Sequence, residues 1–235
     1  MRKICTFLLL IISLSSCEVL NQLPSSGSTI GGITETEAAE GIKEALAQGL
    51  SKAVLKLNTQ DGFFKDAFYK ILLPPDAKKI ENTMRSIGLG SQVDRAILQI
   101  NRGAEDAAGY AKPIFVEAIK SMTLQDAIGL VKNGDTSATH FFREKTTDKL
   151  LAAFKPVIQA SLDKVSATKY YGDLVNTYNN FPTTVKKINP DLTGFVTAKA
   201  IDALFDLVAK EEKNIRDNIA ARTTEILRKV FGSRI

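Results

Sequence analysis

The sequence predicts an all-α fold: a single multi-helix domain of about seven to nine helices, two of them long and proline-kinked, after a signal peptide and a flexible tether. Three observations carry this expectation. Beyond residue 34, apolar residues recur at three- and four-residue steps through most of the chain. No stretch shows the two-residue alternation of a strand. Proline, glycine and N-capping residues punctuate the chain at helical lengths.

The first residues stand apart. Arg2 and Lys3 make a short positive start, and Ile4 to Leu14 is almost unbroken apolar sequence, too short to span a bilayer as a helix but right for a secretory signal. The segment ends Leu14-Ser15-Ser16-Cys17, which resembles a bacterial lipobox. Residues 1–16 then read as a lipoprotein signal peptide, and Cys17 reads as the mature first residue, lipidated on its thiol with palmitate-type acyl chains. Each buried methylene adds about 0.8 kcal/mol, so several chains together make a permanent anchor. An ordinary signal peptide with an incidental cysteine is the alternative. Residues 17–33, rich in serine, glycine and proline after Glu18, read as a flexible tether with a reach of roughly 20–24 Å. Glu18 is not the aspartate that marks inner-membrane retention in enteric bacteria. The expected location is therefore the cell envelope, lipid-anchored, at the outer membrane and facing the periplasm.

Residues 34–235 read as the helical domain. Thr34-Glu35-Thr36-Glu37 is a capping box, followed by Ala38, Ile42, Ala45, Leu46, Gly49, Ala53, Val54 and Leu57 on one helix face. Asp61-Gly62 breaks that helix, and Phe63, Phe64, Phe68, Ile71 and Leu72 are expected to form a short buried helical segment. Pro74-Pro75 restarts the chain, with Ile80, Met84 and Ile87 on one face and Gly88-Leu89 as a C-terminal cap. A long pattern begins at Ser91 and runs to Met122 across Pro113, where a kink or break is expected. Thr123 to Asp126 caps a shorter helix ending at Asn133-Gly134. A second long pattern, Ala138 to Val165, contains Pro156. A further helix follows Tyr170-Tyr171-Gly172, then an irregular connection from Phe181 to Pro190, a strong helix from Leu192 to Val208 with a charged continuation, and a last helix from Thr224 to Phe231.

The blocks "GIKEALAQGLSKAV", "DGFFKDAFYKILLPPDAKK", "AKPIFVEAIKSMTLQDA", "GDTSATHFFREKT" and "ARTTEILRKVFG" resemble the bacterial lipoprotein family catalogued as domain of unknown function 4197, over about Thr34 to Gly232. The resemblance implies an all-helical envelope domain and no reaction. The chain departs from the family pattern at Ser166-Ala167, where a glycine-containing turn is expected, and at Ile219, where proline is expected.

Composition narrows the chemistry. Arg2 and Lys3 leave with the signal, taking the net charge from +5 to +3, and basic residues are interleaved with acidic ones, so no nucleic-acid partner is expected. The two cysteines are Cys5 in the signal and Cys17 under lipid, which leaves the domain without a disulfide or thiol chemistry. The single histidine, His140, stands four residues before Glu144 and beside Arg143, a spacing that suits a general base with its orienting carboxylate. The plainer reading is a surface pair one helical turn apart. Arg102 with Glu105, and Glu211 and Glu212 with Arg216 and Arg222, are charged groups within apolar helices. They can read an anionic ligand through the arginines, or pair within the protein. No phosphate loop, nucleophile elbow, metal-ligand spacing or cofactor motif appears.

Three functions remain open. The first is a non-enzymatic scaffold tethered through Cys17 that binds an envelope protein or the cell wall. The second is a small-ligand or lipid-binding module in which Pro113 and Pro156 splay helices around an apolar cavity. The third is an enzyme centred on His140 and Glu144.

Overall fold

The computed structural model describes residues 29–30, 33–132, 136–180, 182 and 184–232. The expected signal, Cys17 and most of the tether lie outside these residues, as do Asn133-Gly134, Asp135 and Phe181. Among the described residues nine α-helices follow one another: α1 (Glu35–Leu57), α2 (Lys78–Ser86), α3 (Gly90–Ala108), α4 (Ala111–Ser121), α5 (Leu124–Lys132), α6 (Ser137–Asp163), α7 (Ala167–Asn179), α8 (Leu192–Asp217) and α9 (Glu225–Gly232). Short 3-10 turns at Pro75–Ala77 and Ile219–Ala221 precede α2 and α9. The expected all-α fold is therefore the observed one. No helix among the described residues is long and apolar enough to cross a membrane.

The local signals act as written. Thr34 Oγ1 accepts the Glu37 amide at 3.2 Å while the Glu37 carboxylate accepts the Thr34 amide at 2.9 Å, closing the box that starts α1. Thr123 and Asp126 do the same for α5, at 3.1 and 3.0 Å. Gly88, at φ +83°, lets the Leu89 amide reach Met84 O at 2.8 Å and the Gly88 amide reach Arg85 O at 3.2 Å, a Schellman cap on α2. Ser166 adopts φ +53° between α6 and α7, the backbone that a glycine-containing turn would supply more freely.

The core is built where α1, α3, α6 and α8 pack together, closed by α4, α5 and α9. Phe115 of α4 lies at its centre, stacked on Phe142 of α6 at 5.8 Å and edge-on to Phe205 of α8 at 5.6 Å between ring centroids. At the other end, α9 lies on α1 so closely that a Cβ built on Gly41 would sit 2.5 Å from Val230 Cγ2. Lys229 bonds to Glu37 across the same junction. That ammonium, with the Thr34 amide, holds the Glu37 carboxyl down to about 2. A depressed carboxylate of this kind favours the fold above the ordinary carboxylate range and loses its effect as pH falls through about 2.

Three expectations are corrected. Residues 63–72 are not a buried helix: the chain from Asn58 to Pro74 runs through turns, and only Phe63, Tyr69 and Ile71 are buried in it, with Phe68 and Leu72 exposed. Its own carbonyls close single turns only, such as Gly62 N to Thr59 O and Asp66 N to Phe63 O, and three of its amides go to side chains of α3. Phe63 and Phe64 donate to Glu105, and Asn101 both accepts from Ile71 N (2.9 Å) and donates to Ile71 O (2.8 Å). The first long pattern is two helices, because the break falls at Gly109-Tyr110 and Pro113 sits in the first turn of α4, where an amide has no helical partner to lose. Of these two prolines, Pro156 is the one beyond a first turn, deep in α6, and it is exposed, so the carbonyl it leaves unpaired faces water. A small antiparallel pair, Thr29–Ile30 with Ile33–Thr34, also stands at the end of the segment read as tether, too short to give a strand pattern.

Gly41→Ala forces either Val230 or the α1 backbone aside and is expected to lower stability by about 1–3 kcal/mol. Urea unfolding followed by far-ultraviolet circular dichroism reads this as a lower midpoint at unchanged slope.

Candidate functional site

The charged residues singled out from the sequence are spent inside the molecule. Glu105, 3% exposed, accepts Phe63 N at 3.1 Å and Phe64 N at 3.2 Å on one oxygen and the Arg102 guanidinium on the other. Arg102 also reaches Asp61 at 2.7 Å, and Lys65 and Arg102 together hold the Asp61 carboxyl below its ordinary value. Glu212, 4% exposed, repeats the arrangement at α6. It accepts Thr139 N at 2.9 Å, Thr139 Oγ1 at 2.7 Å and Ala138 N at 3.3 Å, with Arg216 beside it at 2.8 Å. A side chain of α8 is thus the N-terminal cap of α6, whose own capping residue Thr136 is left-handed and makes no side-chain cap. Arg222 donates to Ile215 O at 3.0 Å and Arg216 O at 2.8 Å, capping the C-terminus of α8, where a cation is favoured. Glu211 bonds to Lys52 and Gln48 of α1.

His140, Arg143 and Glu144 do not form a site. His140 and Glu144 are both exposed, and no hydrogen bond joins them among the described residues. Arg143 turns instead to Asp202 of α8 at 2.8 Å and lies 4.7 Å from the Phe205 ring. Every buried side-chain nitrogen or oxygen among the described residues has a partner, and no group of three His, Cys, Asp or Glu side chains among them is placed to hold a metal.

What the structure assembles instead lies around α2. A cleft of about 340 Å³ opens between α2, α3 and the α6–α7 junction, walled by Leu73, Ile80, Met84, Val93, Ala96 and Val165 with the rings of Tyr170 and Tyr171. This is within the roughly 300–1,000 Å³ of small-ligand pockets, and the mostly apolar wall with few polar groups suits one. At its rim stand Arg95 and Lys164, both exposed and neither in an ion pair among the described residues. Helix α2 has no buried residue, so its apolar face leans on the cleft without being sealed into the core. The cavity lies away from Pro113 and Pro156. The surface beside Pro156 is a shallow hollow along α6.

On the neighbouring face of α2 lies an open groove of about 710 Å³ between residues 68–75 and α8. Tyr69 forms part of its floor, donating to Asp206 at 2.7 Å and accepting from Lys210 at 2.9 Å. Burial, reinforced by Asp206 and opposed by Lys210, pushes its hydroxyl above the ordinary value.

Sequence reasoning named none of the cleft residues as a site. The available signal was α2 itself, whose Ile80, Met84 and Ile87 make an apolar face on a helix too short to bury it, between a proline pair and a glycine cap.

The sequence profile of the family described as "Protein of unknown function (DUF4197)" matches residues 32–232. No curated protein and no solved structure matches the chain.

Removing Glu212 strands two buried amides and takes the carboxylate from Arg216, and removing Glu105 strands the amides of Phe63 and Phe64 while Arg102 keeps Asp61. Glu105→Ala and Glu212→Ala are each expected to cost about 2–4 kcal/mol. His140→Ala and Glu144→Ala are expected to stay within about 0.5 kcal/mol of the parent. Urea midpoints for the four variants check both halves; equal losses in all four would contradict the placement.

Proposed function

The chain belongs to the DUF4197 family, described as proteins of unknown function, and from that premise we propose that it is a non-enzymatic binding module held at the cell envelope by lipid on Cys17, which takes an anionic single-chain amphiphile into the cleft beneath α2. The cleft carries the reading. Its wall of leucine, isoleucine, methionine, valine and tyrosine suits an apolar tail, and Arg95 and Lys164 at the rim suit a carboxylate or phosphate head. Of the functions that the sequence leaves open, the ligand-binding one thus has a place to act. A catalytic reading centred on His140 loses support, because its intended partner Glu144 makes no bond to it and Arg143 is engaged elsewhere.

Helix α2 suits the role of a lid. It is bounded by Pro74-Pro75 and by the Schellman turn at Gly88, and it covers the cleft with Ile80 and Met84, neither fully buried. A tail entering the cleft would complete the burial of that face. The apolar contact drives binding, and the two rim cations select the head group.

Native mass spectrometry of the full chain purified from an envelope fraction is expected to show a retained anionic amphiphile that is lost on denaturation. Ala96→Phe, which fills the cleft, is expected to release it. In titrations with a long-chain fatty acid, Arg95→Gln and Lys164→Gln are each expected to weaken binding by about two- to fivefold. A ligand-free mass together with no fatty-acid binding would overturn the reading. The anchor is tested separately: Cys17→Ala is expected to lose the added lipid mass and to be recovered unlipidated.

A further inference from the structure

The groove on the other face of α2 presents a combination that the fold does not use. Phe68 is 87% exposed and Leu72 is 53% exposed, yet the backbone that carries them is tied down by side chains. Asp66 accepts the Phe68 amide at 2.9 Å, and Ile71, between them, is clamped by Asn101 through both its N–H and its C=O. A rigid loop that holds two large apolar side chains in water calls for something to cover them.

The charges around them say what. Three carboxylates line the groove, and each has a cation partner: Glu81 in Arg85 at 3.0 Å, which also pairs with Asp94 outside the groove, Asp202 in Arg143 at 2.8 Å and Asp206 in Lys210 at 2.7 Å. Besides Lys210, three further lysines line it, Lys70, Lys78 and Lys199, all exposed and none in an ion pair among the described residues. Lys70 and Lys199 lie over the rings of Phe64 and Phe195, which adds no negative charge. The patch therefore carries three uncompensated cations around two projecting apolar side chains.

We propose that this patch seats the domain on an anionic lipid surface, with Phe68 and Leu72 entering the acyl boundary and Lys70, Lys78 and Lys199 meeting the phosphates. Anionic lipid suits the patch better than a protein partner does. Protein interfaces centre on residues enclosed in desolvated pockets. Here the apolar groups project, and exposed lysines on long stems flank them without a carboxylate partner among the described residues. The inference goes beyond the ligand reading and does not rest on it, because groove and cleft use different faces of α2.

The chain contains no tryptophan, so Phe68→Trp introduces a single fluorescent reporter into the full chain while keeping an aromatic ring. A control reporter, Ile219→Trp, occupies a 72% exposed position beyond the C-terminus of α8, outside the patch. With vesicles of phosphatidylglycerol and phosphatidylcholine, the indole emission of the Phe68→Trp chain is expected to shift to the blue and to be quenched by brominated acyl chains. Vesicles of phosphatidylcholine alone are expected to leave it unchanged, and the Ile219→Trp chain is expected to respond to neither. Replacing Lys70, Lys78 and Lys199 together by Gln in the Phe68→Trp background is expected to abolish the response, and raised salt to weaken it. Ala96→Phe in the same background is expected to leave it intact, which separates failure of this proposal from failure of the ligand reading. Emission from the Phe68→Trp chain that is the same in buffer and on anionic vesicles overturns the proposal. So does an equal response on neutral vesicles, or a shift that only added envelope protein produces, which would assign the patch to a protein partner.

Discussion

A carboxylate taken out of water must keep its charge balanced and its lone pairs occupied, and the fold depends on two places where this is done in the same way. Glu105 on α3 and Glu212 on α8 each sit within one helical turn of an arginine, Arg102 and Arg216, which supplies the countercharge. Each gives its remaining capacity to two backbone amides of an element distant in sequence: Phe63 and Phe64 for Glu105, Ala138 and Thr139 for Glu212. Neither recipient has a local side chain for the task. The helices α3 and α8 thereby decide the path of residues 58–74 and the starting point of α6, two features that neighbouring sequence leaves open. Arg222 completes the pattern with opposite sign, closing the carbonyl end of α8.

This arrangement also places the two surfaces around α2. Because Asn101 and Glu105 hold the chain before Pro74 against α3, the proline pair launches α2 alongside α3 rather than over the core. The helix then has an apolar face and no deep recess to bury it. One side of α2 closes partly over the cleft, and the other borders the groove beneath Phe68 and Leu72. Both features follow from a short amphipathic helix packed on the margin of a well-filled bundle. The polar interior is fully paired among the described residues, which leaves the margin as the place where a further molecule can gain apolar contact.

Local signals were legible in sequence because their partners lie within a few residues. Thr34 with Glu37, Thr123 with Asp126, and Gly88 with Leu89 each close through one turn of chain, and each does so as its pattern implies. The segment from Phe63 to Leu72 shows the limit. Its apolar residues suggest a buried helix, but the amides of Phe63, Phe64 and Ile71 are claimed by Glu105 and Asn101, which lie 42 and 30 residues ahead of Phe63 and Ile71. The charged groups Arg102 with Glu105 and Arg216 with Arg222 were visible as groups. That their targets are backbone amides and carbonyls was not, since periodicity identifies a helix face without identifying its neighbour.

The sequence by itself determined the all-helical class, most helix starts and stops, and membership of the DUF4197 family, because these depend on periodicity, capping and ordered blocks that are written along the chain. Only the tertiary structure decided that residues 58–74 are held open, that α6 is capped from α8, and that α2 stands between an apolar cleft and a lysine-flanked groove. Each of these is set by groups far apart in sequence competing for the same amide or the same apolar face, and the outcome exists only once the helices have packed.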